Sequence, residues 1–235
     1  MSTGACVLAV VPARSGSKGI PDKNMQTIGG LSLIARAAGV LRACPSVDHA
    51  ILSTDSPRYA DEGRAHGLDV PFLRPPELST DTAGAVETLT HALIAAEAHY
   101  AQSFDVVLIV EPTCPLRRPE DVEGALGLLR QSGADSVVAV SRVDTKFHPD
   151  KLLTLDGDRL GFYSTAGAGV KTRQQLAPLY YRNGACYALT RECLVNQKAV
   201  FGRDTRAYVI ERQIVNIDEP VELELARFLD SENSA

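Results

Sequence analysis

The chain has 235 residues, 45 % of them hydrophobic and 23 % charged, with a net charge of −5. That is enough apolar material for a sizeable α/β core, and the acidic balance excludes a general nucleic-acid binder. Five scattered cysteines without a C-x-x-C pair exclude a zinc knuckle and a disulfide framework, and no apolar run approaches membrane-spanning length.

No leader is expected, because the N-terminus lacks a charged region, an apolar region and a cleavage site; a reducing cytoplasm suits the cysteines. The first apolar run, Cys6 to Val11, suits a strand buried on both faces, and Pro12, with no N–H to donate, is expected to end its pairing. Small residues and cations then alternate through Arg14, Ser15, Gly16, Ser17, Lys18 and Gly19 to Lys23 and Asn24. Glycines let a backbone approach a ligand closely, and arginine grips a phosphate with two parallel bonds. A polyphosphate suits this loop, although it supplies neither G-x-x-x-x-G-K-[ST] nor a full G-x-G-x-x-G. A plain basic turn between a strand and a helix is the alternative reading.

Ser32 to Leu41 carries apolar residues at helical spacing after a Gly29-Gly30 turn. Val47 to Thr54 reads as a strand, and Ser56 and Pro57 open a short helix that closes near His66-Gly67. Val70 to Leu73 is expected as a third strand. Arg74-Pro-Pro-Glu-Leu-Ser-Thr-Asp-Thr is a loop leading into a helix from about Gly84 to His99, with Asp81 or Thr82 either capping it or serving a ligand. Asp105 to Val110 is the clearest strand. It stops at Glu111-Pro-Thr-Cys-Pro-Leu-Arg117, a stiff loop at a strand's carboxyl edge, where open α/β sheets bind ligands. Glu120 to Gln131 is a helix and Ser136 to Ser141 a strand. From Arg142 to Ala177 the pattern loosens around an Asp156-Gly-Asp hairpin signal, which reads as an inserted β-arm and lid.

In the next segment Arg173 and Arg182 are candidates for gripping a carboxylate, and Tyr180, Tyr181 and Asn183 for reading hydroxyls; Gly184 suggests a bulge or a close backbone approach. Arg191 to Asn196 is a short helix, Ala207 to Ile210 a last strand and Val221 to Leu229 a final helix. Before that helix stands Asn216-Ile-Asp218. Residues two apart on an extended chain point the same way, so Asn216 and Asp218 are placed to share a cation; helix capping by Asp218 is the alternative. Strands alternating with helices imply right-handed crossovers and a mostly parallel sheet.

Ala13-Arg-Ser-Gly-Ser-Lys-Gly-Ile-Pro-Asp-Lys-Asn24 resembles the signature loop of the acylneuraminate cytidylyltransferases, the CMP-sialic acid synthetase family. The likeness extends over nearly the whole chain, through Arg74-Pro-x-x-Leu-x-x-Asp81, Pro112-Thr-x-Pro-Leu-Arg117, Arg173-Gln174 and Asn183-Gly-Ala-x-Tyr187. The resemblance implies an α/β, Rossmann-like, mostly parallel sheet flanked by helices, of the nucleotidyltransferase type, with an inserted β-arm. Residues 1–235 would form one cytidylyltransferase domain, and 142–177 a dimerisation arm or lid in a homodimer. The implied reaction transfers CMP from CTP to the anomeric hydroxyl of a nonulosonic sugar acid and releases pyrophosphate. Ala13, Arg14, Ser17, Lys18, Gly19, Asn24, Arg74, Asp81 and Thr82 would bind the nucleotide. Glu111, Arg173, Gln174, Tyr181 and Asn183 would bind the sugar acid. Asp218 and Asn216 would hold Mg²⁺, with Arg14, Lys23 and Asp218 as the catalytic set.

Three departures stand out: Glu111 replaces the family's Gln, Cys114 its Ser, and Asn216 its first Asp. A carboxylate at 111 repels an acid and favours a cationic or hydroxyl-rich partner. Cys114 has no nearby base and reads as a serine substitute rather than a nucleophile. An amide at 216 weakens Mg²⁺ binding in the absence of nucleotide. Two alternatives stay open. One is a Kdo-type or other sugar or small-acid nucleotidyltransferase; the other is a CTP-binding regulatory protein with weakened catalysis, which Asn216 alone favours.

Overall fold

The apolar runs become ten strands and six α-helices in a computed structural model that describes residues 4–169 and 172–234. Positions 170 and 171 of the expected arm therefore lie outside the described residues. The strands are β1 (Val7–Pro12), β2 (Thr27–Ile28), β3 (Leu31–Ser32), β4 (His49–Ser53), β5 (Val106–Ile109), β6 (Ser136–Arg142), β7 (Leu153–Asp156), β8 (Arg159–Phe162), β9 (Tyr180–Thr190) and β10 (Thr205–Val209). The helices are α1 (Leu33–Arg42), α2 (Pro57–Ala65), α3 (Ala85–Tyr100), α4 (Pro119–Ser132), α5 (Arg191–Val195) and α6 (Pro220–Ser234).

Six strands form one sheet in the order β10-β6-β9-β5-β1-β4. The pairs β10–β6, β5–β1 and β1–β4 are parallel, whereas β9 runs antiparallel to both neighbours. The α/β sheet is thus mostly parallel, with one reversed strand in its interior. β1 shows why the sheet needs cover on both faces. Val7, Ala9 and Val11 pack with Ile34, Tyr59 and Leu126 from α1, α2 and α4, while Leu8 and Val10 pack with Leu89 and Leu93 from α3. A third cluster joins Ile20 and Ile28 to Val215, Ile217 and Leu223. It fastens the loop after β1 to the segment that carries Asn216 and Asp218.

Local chemistry sets the helix starts. Ser32 and Ser56 accept hydrogen bonds from the amides of Ala35 and Tyr59, and Pro57 occupies the first helical position of α2. α3 differs from expectation: its N-cap is Gly84, and neither Asp81 nor Thr82 caps it. Val70 to Leu73 is not a strand. Only an isolated bridge between Ile51 and Asp69 forms, because Pro71 has no N–H to extend it. β1 ends at Pro12, whose pair with Ser53 is the last of the β1–β4 ladder, and the Ala13 amide adds one further bond to the Ser53 carbonyl at 2.9 Å. The arm is present as the β7–β8 hairpin, turned at Gly157 with φ +62° and exposed along its whole length. No helix among the described residues is long and apolar enough to cross a membrane.

Candidate active site

The loop after β1 is shaped from several sides. The Ser15 amide and hydroxyl donate to the two carboxylate oxygens of Asp55, each at 2.8 Å, at the carboxyl end of β4. Buried Asn24 donates from Nδ2 to the Arg14 carbonyl at 3.2 Å. Gly19 runs so close to the next wall that a Cβ there would lie 2.8 Å from the Asp218 carbonyl oxygen.

These contacts line a cleft of about 500 Å³ with Arg14, Ser17, Lys18, Gly19, Lys23, Asn24, Arg74, Asp81, Glu111 and Asp218. Its cations have partners already. Arg14 Nη2 and Lys18 Nζ lie 2.7 and 2.5 Å from the two oxygens of Asp81. The hydrogen bonds from Lys18 and Arg14 hold the Asp81 carboxyl below the usual carboxylate range. Lys23 Nζ bonds the Ile217 carbonyl at 2.8 Å and Asp218 Oδ1 at 2.9 Å. Arg74 is buried and grips Ser53 through its hydroxyl at 3.1 Å and its carbonyl at 2.5 Å. Burial brings the Arg74 guanidinium down to about 10, so it stays charged at neutral pH.

A second pocket of about 270 Å³ adjoins the first and shares Pro12, Arg74 and Glu111 with it as a common wall. Its remaining lining is mostly apolar, with Ala83, Leu89, Ile109 and Val200, and carries Thr88, Arg182 and Tyr187 as polar groups. The Arg182 guanidinium lies over the Phe201 ring, 5.5 Å from its centroid. Burial pushes the Tyr187 hydroxyl upward, so it remains a phenol that can donate.

Glu111 is half-buried in the common wall, and burial raises its carboxyl against the lowering field of Arg117. Arg117 itself is buried and clamps the loop, donating to the Glu111 carbonyl at 2.9 and 3.1 Å and to the Ala185 carbonyl at 3.0 Å. Opposite stands Gly184, with φ +73°, next to the irregular register of β6 and β9. A Cβ there would come within 2.8 Å of Glu111 Oε2 and 3.1 Å of Asn216 Oδ1. The carboxylate and the amide therefore converge on the bare face of a glycine. Asn216 Oδ1 is buried and accepts no hydrogen bond.

That orphaned acceptor lies beside the Glu111 carboxylate and lines neither pocket, whereas the Asp218 carboxylate lines the cleft and is paired with Lys23. Among the described residues no group of three or more acidic, histidine or cysteine side chains is arranged to hold a metal. An amide oxygen and a carboxylate are oxygen donors of the chemistry Mg²⁺ takes, with phosphate oxygens and water as its usual further ligands.

Several expected ligand residues lie elsewhere. Asn183 is fully buried, its amide donating to Ser141 Oγ and its oxygen accepting from the Ala185 amide, both at 3.0 Å. Its polar atoms are engaged inside the sheet, which corrects the expectation that it reads a hydroxyl. Ala13 is buried beneath the loop, and Thr82 is exposed, faces Thr80 and lines neither pocket. Tyr181 sits half-exposed on β9 opposite Ser141, while Arg173 and Gln174 are exposed on a one-turn helix of the arm; none of the three lines either pocket. Cys114 is fully buried with its thiol pushed up to about 11, no state for a nucleophile. Asp55, Arg117 and Tyr187 are structural or lining groups that the sequence reading did not assign. Each had a signal: Asp55 is an acid just past the end of a predicted strand, and Arg117 and Tyr187 stand in motifs that carry the resemblance.

The family model described as Cytidylyltransferase matches residues 8–233. The chain belongs to the cytidylyltransferase family. This cytidylyltransferase is 29 % identical over 225 residues to CMP-N,N'-diacetyllegionaminic acid synthase of Legionella pneumophila subsp. pneumophila, covering 95 % of each chain. It is 32 % identical over 208 residues to N-acylneuraminate cytidylyltransferase of Streptococcus agalactiae serotype V, covering 88 % of this chain and 48 % of that one. Among solved structures, CMP:2-keto-3-deoxy-manno-octonic acid synthetase complexed with CTP aligns with a TM-score of 0.73 at 18 % identity, over 97 % of this chain and 100 % of that one. This last likeness speaks to the fold alone.

Proposed function

We propose that this cytidylyltransferase transfers CMP from CTP to the anomeric hydroxyl of a nonulosonic, sialic-like sugar acid and releases pyrophosphate. One observation carries the reading: a carboxylate, Asp81, sits on Arg14 and Lys18 as an anion would, at the edge of a pocket that opens onto a second pocket. The names of the legionaminic and N-acylneuraminate relatives support the acceptor class.

In this reading Arg14, Ser17, Lys18 and Lys23 hold the triphosphate, with Gly19, Asn24 and Arg74 shaping the loop beside it. The acceptor hydroxyl attacks the α-phosphorus in line, across the common wall, and the bond to the pyrophosphate oxygen breaks. Lys23 neutralises charge near Asp218 as it shifts to the leaving group. Arg182 is placed for the acceptor's carboxylate, and Glu111 for a hydroxyl. Mg²⁺ held by Asp218 and Asn216 would draw charge from the phosphates. The exposed Leu153, Leu155, Leu160 and Phe162 of the arm would pack against a second copy, bringing Arg173 and Gln174 toward that copy's pocket. The five free thiols suit a reducing cytoplasm.

The test is pyrophosphate release from CTP and Mg²⁺ with N-acetylneuraminic, legionaminic or pseudaminic acid, with Kdo, and with no acceptor. Release with a nonulosonic acid alone is expected. Release with Kdo alone moves the acceptor to the octulosonate class. Silence across the panel, with CTP still raising the melting temperature, would leave a nucleotide-binding protein in its place.

A further inference from the structure

A separate cavity of about 440 Å³ lies at the far end of the Glu111–Arg117 loop, lined by Arg36, Arg117, Arg118, Arg212 and Asp230 among others. It shares no lining residue with either pocket of the candidate active site. Four guanidinium groups around so small a space are unusual in a chain of net charge −5. Two of them are matched. Arg36 Nη2 meets Asp230 Oδ1 at 2.5 Å, and Arg212 pairs with the Asp121 carboxylate. Arg117 and Arg118 form no ion pair among the described residues. The Arg118 side chain is exposed, but Arg117 is 96 % buried and its Nε–H finds no acceptor. The Arg117 Nη atoms are engaged on the Glu111 and Ala185 carbonyls, but a buried Nε–H without an acceptor is a state folded proteins avoid unless a ligand or water completes it.

Next to this cavity lies a hollow of about 340 Å³ that shares Arg36, Pro115 and Arg117 with it and is otherwise lined by Leu31, Ala35, Gly39, Val40 and Pro119. Cationic walls thus pass directly into apolar ones. Asp230, the acid on the lining, is held by Arg36, which leaves the unmatched charge on the Arg117–Arg118 side. With the Nη bonds of Arg117 to the Glu111 and Ala185 carbonyls and those of Arg212 to Leu116 and Asp121 set aside, the Arg117 Nε–H and the Arg118 guanidinium still offer more donors than the two oxygens of a carboxylate accept, whereas a terminal phosphate presents three.

We propose that this cavity is a second anion site, taking the phosphate group of a small molecule between Arg117, Arg118 and Arg212, with any less polar body resting in the adjoining hollow. The site is independent of the acceptor reading above.

Calorimetric titration of the full chain with inorganic phosphate, pyrophosphate and CMP tests it. Binding of at least one probe should persist in Arg14→Ala/Lys18→Ala, which disables the cleft loop, with affinity within about threefold of the parent. In that background Arg118→Glu, a change at an exposed side chain, should weaken it at least tenfold, while the melting temperature holds. Arg212→Lys should weaken it less, keeping charge but losing the fork. CMP bound more tightly than pyrophosphate identifies a nucleotide, and Val40→Asp should then erase that preference. Pyrophosphate or phosphate bound with no CMP preference identifies a free anion. Loss of all probe binding in Arg14→Ala/Lys18→Ala, or binding that Arg118→Glu leaves unweakened, overturns the assignment.

Discussion

The Asp81 carboxylate bridges Arg14 and Lys18, so an incoming triphosphate has to take both cations from it. Asp81→Asn keeps the shape and removes the charge. CTP affinity is expected to rise roughly two- to fivefold at low salt, with the gain shrinking as salt screens the pair. Calorimetry at two ionic strengths measures this, and weaker binding instead would make Asp81 a direct nucleotide contact. Gly184 is the other sensitive position, because φ +73° and two side-chain oxygens at 2.8 and 3.1 Å leave no place for a methyl group. Gly184→Ala should cost about 1–3 kcal/mol of stability. An unchanged thermal melt would show that Glu111 and Asn216 move aside freely. At this scale the cationic loop was legible because Arg14, Lys18 and Lys23 stand within ten positions of one another. Their acidic partners were not: Asp55 and Asp81 reach the loop only through the fold. Asn183 was named from its residue type and from the resemblance, neither of which shows that its amide bonds Ser141 inside the sheet.

At the scale of elements, α3 is tied to α5 by a two-pronged contact. Glu97 accepts from Arg191 Nε at 2.9 Å and Nη2 at 3.1 Å, and from the Phe104 amide at 3.2 Å. The Arg191 hydrogen bond holds the Glu97 carboxyl below its ordinary value. A depressed folded-state value adds stability above the unfolded value near 4.5, and that stability is lost as pH falls through the folded one. Arg191 is well exposed, so screening limits the contribution to about 1 kcal/mol, or roughly 2–4 °C. Glu97→Gln should therefore melt lower than the parent at pH 7, with the deficit shrinking as pH falls below 4.5 and the carboxylate is protonated; a deficit that does not shrink in acid would indicate lost packing instead. The helix starts at Ser32 and Ser56 were legible because caps are local chemistry. Val70 to Leu73 misled because its apolar content suits an edge strand, while Pro71 removes the donor that an edge strand needs.

Across the whole molecule, the arm carries its apolar side chains outward, with Leu155 and Leu160 more than two-thirds exposed. If they meet a second copy, Leu155→Glu/Leu160→Glu should sediment as a monomer at concentrations where the parent is a dimer, with CTP affinity retained. A dimer that survives the change would place the interface elsewhere. The sheet was legible in the alternation of buried strands and helices. The reversal of β9 was not, because strand direction follows from where the arm delivers the chain rather than from the strand's own residues. The division of labour between the two pockets reaches further still. Among the described residues they meet at Pro12, Arg74 and Glu111; the lining of one comes from the first loop and the Asp218 segment, and that of the other from the start of α3, from β9 and from Val200. On the proposed assignment of donor to the first pocket and acceptor to the second, such a partition makes the two specificities separately heritable. A lineage could exchange Ala83, Leu89 or Val200 and adopt a new acceptor while the first loop stayed untouched, and a directed library could follow the same seam.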